Sequence, residues 1–113
     1  MDELNQVAMQ IILHAGDART LAMKAMDLAS EADFEQFEEL MKQAKDEIVQ
    51  AHRVHTGVLQ NAIAEEENEY TILFAHAQDT LMSVNTEINL IEKIGQALVS
   101  VNKRLENLEK GEH

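Results

Sequence analysis

"DFEQFEELMKQAKDEIVQAHRVHTGVLQNAIA", residues 33–64, holds one pattern without interruption. Phe34, Phe37, Met41, Ala44, Ile48, Ala51, His55, Val58 and Ala62 recur at alternating steps of three and four. That spacing draws a single apolar seam down one side of a long helix, and no strand can use it. Asp33 followed by Gln36 has the form of a capping box, which sets the start of the helix at about residue 34. The acidic run Glu65-Glu66-Glu67-Asn68-Glu69 ends it near Ala64 and reads as a solvated loop. A helix of this length with one apolar seam has to bury that seam against other helices.

The flanking sequence supplies those helices. Upstream, Leu4, Val7, Ile11, His14, Ala18, Leu21, Ala25 and Leu28 form a stripe over residues 3–30, with Gly16 inside it. Downstream, Phe74, Ala77, Leu81, Val84, Ile88 and Ile91 continue into Ile94, Leu98, Val101, Leu105 and Leu108, over residues 71–109. The phase of this last stripe slips near Gly95. Three helices at about 3–30, 34–64 and 71–109 predict an all-α, antiparallel three-helix bundle, one domain over residues 1–113. The absence of proline and the four glycines agree with few, long helices. Sustained heptads offer more apolar surface than three helices need, which predicts a homo-oligomer.

Composition removes several functions. Without cysteine there is no disulfide framework, thiolate metal site or cysteine nucleophile. A net charge of −12, with nine basic residues among 21 acids, opposes nucleic-acid binding and favours encounter with a basic partner. No segment reaches the roughly 18 apolar residues of a membrane span, and the opening Met1-Asp2-Glu3 has no signal-peptide character, so a cytoplasmic location is expected. No Gly-rich phosphate loop, G-x-S-x-G or H-E-x-x-H motif is present.

One stretch departs from the helical monotony: "LFAHAQDTLMS", residues 73–83. On a helix, His76, Asp79, Thr80 and Ser83 share a face at spacings i, i+3, i+4 and i+7, offset from the Phe74-Ala77-Leu81 seam. A neutral imidazole is a competent nucleophile near pH 7 and can accept a phosphoryl group if its second nitrogen is held. Gln78 or a backbone carbonyl are the candidate holders. Asp79 would repel a phosphate unless a metal, a proton or burial against other copies neutralised it. The plain alternative is a polar helix stripe carrying an exposed histidine. His14 and His55 sit on stripes and suit packed, hydrogen-bonded roles. His52 and His55 form an H-x-x-H pair, a weak metal signal.

"HAQDTLMS", residues 76–83, closely resembles the H-[AG]-Q-D-H-L-M-T motif around the phosphorylated histidine of lactose/cellobiose-type enzyme IIA proteins of the bacterial phosphoenolpyruvate-dependent sugar phosphotransferase system. "IILHAGDARTLAMKAM" (11–26), "EADFEQFEELMKQA" (31–44) and "AHRVHTGVLQ" (51–60) resemble the family's other segments in the same order. The resemblance implies a homotrimer of three-helix bundles, nine helices in all. It implies that His76 takes a phosphoryl group on Nε2 from the phosphocarrier protein HPr. The group then passes to a cognate enzyme IIB, which phosphorylates sugar entering through enzyme IIC. It also implies that Asp79 meets its two symmetry copies around a divalent cation, usually magnesium, whose preference for hard oxygen ligands fits a carboxylate. Thr80 stands where the family commonly has a second histidine, and His55 replaces its usual glutamine. The competing readings are a non-catalytic helical adaptor or regulatory relative, and a metal-storage or redox bundle built on His52 and His55.

Overall fold

A computed structural model describes residues 2–64 and 71–111, with side-chain surroundings for 3–58 and 71–111. The side chain of Ala62, the acidic run 65–69 and His113 fall outside the described residues. Three helices make up the chain: α1 (Asp2–Ser30), α2 (Phe34–Ala64) and α3 (Ile72–Glu109). They form a rod 70 × 19 × 18 Å.

Local chemistry explains the boundaries. The Asp33 N–H donates to the Leu28 carbonyl at 2.9 Å and the Ala32 N–H to the Ala29 carbonyl at 3.0 Å. This pair of bonds closes α1 with a Schellman motif. Ala32 takes the left-handed position of that motif, φ 63°, where glycine would be unstrained. Asp33 then caps α2: its Oδ1 accepts from the Gln36 N–H at 3.3 Å. Gln36 returns to the Asp33 carboxylate, Nε2 to Oδ2 at 2.6 Å, rather than to the backbone N–H that a full capping box would engage. Thr71 caps α3, its hydroxyl accepting from the Phe74 N–H at 3.0 Å.

The helices pack as a hairpin of α1 and α2 with α3 laid back along them. Phe37 lies against Gly95, Lys45 pairs with Glu92, and His55 contacts Phe74 and Gln78. The order of contacts along α2 and α3 is reversed, so these helices are antiparallel. Arg19 of α1 grips the Glu87 carboxylate of α3 through Nε at 2.7 Å and Nη2 at 3.2 Å.

The inward face of α1 differs from the expected stripe. Its buried residues are Ala8, Ile11, Ala15, Ala18, Ala22, Ala25 and Ala29, while Leu4, Val7, Leu21 and Leu28 are only half-buried at the flanks. Ile11, Ala18 and Ala25 of the expected stripe are buried, while Val7, His14, Leu21 and Leu28 give way to the next residue along, a rotation of about half a residue step, roughly 50°. α1 packs on both other helices, and a row of methyl groups lets both approach closely while the leucines fill the edges. His14 sits at that edge, its Nδ1 2.8 Å from Glu47 Oε2 on α2.

The slip near Gly95 has a cause. Phe37 is 1% exposed, and its ring occupies the space a side chain at Gly95 would need. A Cβ there would stand 2.6 and 2.7 Å from two ring carbons. The glycine is thus a socket, and α3 buries Gly95 in place of Ile94, which is 46% exposed. Gly95→Val should therefore destabilise the chain by roughly 1–3 kcal/mol, despite valine's better helix propensity. Adding Phe37→Leu should recover part of that loss, a non-additivity that urea melts of the single and double variants would measure. Additive losses would show that the ring and the glycine do not share the space.

Candidate functional site

The residues that carry the chemistry all lie on the first three turns of α3. Phe74, Ala77, Leu81, Val84 and Ile88 face the core, each no more than 3% exposed. At 3.6 residues per turn, Asp79 lies roughly 180° around the helix from that row. His76, Asp79 and Ser83 are exposed and Thr80 is half-buried. The four therefore share the outward face that their spacing predicts.

That outward face is not an ordinary solvated one. Ile72, Met82, Leu90, Ile94, Val101 and Leu108 lie along it with exposures of 46–91%. Asp79 stands in this row between Ile72 and Met82, and among the described residues it has no hydrogen bond or ion pair. Beyond Ser100 almost every residue of α3 is exposed, because this end of the helix runs past the α1–α2 turn.

Around His76 the backbone is held from two sides. The Thr80 hydroxyl donates to the His76 carbonyl at 2.8 Å, an i−4 back-bond that commits it away from the imidazole. Gln78 points the opposite way. Its amide nitrogen lies 2.9 Å from His55 Nε2 on α2. Residues i and i+2 do not face each other on a helix, and the described bond of Gln78 goes to His55.

An amide NH₂ only donates, so His55 Nε2 is the acceptor and its proton sits on Nδ1. The His55 ring also stacks on Phe74, centroids 5.8 Å apart and planes 14° from parallel. Burial, and then the neighbouring charge of His52, push the His55 pKa below its ordinary 6.5. The unfolded chain then takes up a proton near pH 6.5 that the folded chain refuses. Stability from this residue is complete above pH 6.5 and is lost as pH falls from there toward the lowered folded value. The melting temperature of the parent should fall more between about pH 7.5 and pH 5 than that of His55→Gln, which keeps an acceptor but does not titrate. Parallel curves would remove His55 from the acid response.

Metal chemistry within one chain finds little support. Among the described residues no group of three His, Asp or Glu side chains could hold an ion, the His52–His55 pair included. Asp79 supplies one carboxylate per chain, which fits a divalent cation only where several copies meet.

The family model for the lactose/cellobiose-specific IIA subunit of the PTS system matches residues 6–98. The chain belongs to this family. It is 37% identical over 93 residues to the lichenan-specific phosphotransferase enzyme IIA component of Bacillus subtilis, spanning 82% of this chain and 84% of that one. Its fold superimposes on the PTS cellobiose-specific enzyme IIA from Bacillus anthracis with a TM-score of 0.77, 32% identity and 94% of each chain covered. It also matches the chitobiose IIA–HPr complex of the Escherichia coli phosphotransferase system, with a TM-score of 0.78 and 27% identity over 88% of this chain and 96% of that one.

Sequence reasoning located the polar face of this IIA chain but missed the His55–Gln78 bond. The partners are 23 residues apart on different helices, and no local spacing signals such a contact. Among the described residues no helix is long and apolar enough to cross a membrane.

Proposed function

We propose that this chain is the sugar-specific IIA component of a disaccharide uptake system, working in the cytoplasm as a phosphohistidine carrier. His76 is the phosphoacceptor. HPr is the donor, a reading supported by the relative that occurs in a complex with it, and a cognate IIB feeding a membrane IIC is the recipient. The observation that carries the proposal is an exposed imidazole on the face of α3 turned away from the core, inside the segment the family model matches.

The transfer needs little beyond positioning. The Nε2 lone pair of neutral His76 attacks phosphorus while the donor's N–P bond breaks in line, and the donor imidazole leaves with that electron pair. Nδ1 of His76 keeps its proton throughout. Packed helix surfaces hold the two rings in line and exclude water. The acidic surface of the chain speeds encounter with a basic donor.

The apolar row around Asp79 supports a homotrimer in which the three α3 helices face one another. Burying an unpaired carboxylate there would be costly, and a divalent cation such as magnesium shared by three Asp79 carboxylates would remove that cost. His76 then stands beside the seam, clear of the metal.

Incubating the purified protein with phosphorylated HPr tests the reading. The expected outcome is one phosphoryl group per chain, acid-labile and base-stable, that a cognate IIB can discharge. No label, together with tight binding to a helical target, would favour an adaptor.

A further inference from the structure

The phosphoacceptor turn of α3 has a brace behind it. His55 touches two α3 residues, Phe74 by ring stacking and Gln78 by a 2.9 Å hydrogen bond. These are the i−2 and i+2 neighbours of His76, and both lie on the side of the helix opposite it. The contact spans the thinnest of the three helix interfaces, between α2 and α3. Phe74 and Ala77 are buried, and apolar packing sets the rotation of a helix about its own axis less sharply than a directional bond does. A directional bond and a stacked ring, one turn apart on the same side of α3, define it more sharply.

We propose that His55 is a positioning residue for phosphoryl transfer, setting the rotation of the His76 turn through Gln78 and Phe74. The proposal rests on the reading of His76 as phosphoacceptor. In-line transfer between two imidazoles is sensitive to the direction of the attacking lone pair, and a misplacement of about 1 Å can cost 100-fold in rate. His55 acts through its acceptor nitrogen. The neutral tautomer with a free Nε2 lone pair suits the Gln78 NH₂; a proton on Nε2 would oppose donor to donor and force the carboxamide to turn over. Among the described residues, the groups facing His55 are Phe74 and Gln78 from α3, neither titratable, and His52 one turn back on α2. Among the described residues no charge on α1 shifts it.

Two variants separate the brace from simple packing. His55→Leu keeps an apolar side chain against Phe74 and loses the acceptor, whereas His55→Gln keeps an acceptor of similar reach. Single-turnover labelling of His76 by phosphorylated HPr should slow about tenfold in His55→Leu. It should return to within about threefold of the parent in His55→Gln, with both variants retaining parental helicity. In the parent, the Gln78 side-chain NH₂ resonances should titrate together with the His55 ring. A His55→Leu protein labelled as fast as the parent, or equal slowing in both variants, would overturn the brace. A parent that takes no phosphate would overturn the phosphoacceptor reading instead, and the brace with it.

Discussion

His76→Ala is expected to remove phosphoryl transfer from HPr, lowering the labelling rate by roughly 1000-fold or more, because the variant lacks the atom that forms the bond. The fold should not notice. His76 is exposed, and the described contact to this residue is the Thr80 hydroxyl bond to its backbone carbonyl, which alanine keeps. Alanine also suits a helix surface better than histidine. Thermal melts within about 2 °C of the parent, with labelling lost, would place the defect in chemistry and not in folding. His14→Ala is the matched control. It removes another partly exposed imidazole, bonded to Glu47 across α1 and α2, and should label as the parent does. Equal labelling of His76→Ala and the parent would move the acceptor to another histidine.

The helices were legible in the sequence because each carries a periodic apolar row. The α2 row from Phe37 to Ala51 and the α3 row from Phe74 to Ile91 are the buried rows. Asp33 announces the start of α2 through the chemistry of capping. Three features were not legible. The α1 face follows alanines rather than leucines, since a helix packed on both neighbours is limited by how closely backbones approach, a property of the assembled bundle. Gly95 is buried because Phe37, 58 positions away, fills the space over it. The His55–Gln78 contact escaped for the same reason: it exists only once α2 and α3 are antiparallel and in register.

The site divides along the same line. The outward face of His76, Asp79, Thr80 and Ser83 follows from helical geometry alone. The roles of its members do not, because a stripe of small polar groups with one imidazole is chemically ambiguous. Resemblance to the IIA family supplied those roles. The structure adds what surrounds them: Thr80 turned to the backbone, Gln78 held from behind, and a carboxylate alone within an apolar row.

That lone carboxylate sets up the second large effect. If three α3 helices meet along the row through Asp79, Leu90 lies in their seam, and its 57% exposure in the single chain is surface awaiting burial. Leu90→Asp would remove about 1.5–3 kcal/mol of apolar burial per chain and place three more carboxylates near one axis, where desolvation and repulsion add further cost. Sedimentation velocity should then show the parent as a trimer and Leu90→Asp as a monomer with its helicity retained. Asp79→Leu should act in the opposite sense. It replaces three like charges with apolar groups in an apolar seam, so the trimer should persist and melt higher in the presence of a chelator, while bound divalent cation disappears from elemental analysis. The two variants differ in position by 11 residues on one face and should part completely in outcome. A trimeric Leu90→Asp would put the subunit contact on another face, and metal retained in Asp79→Leu would put the cation elsewhere.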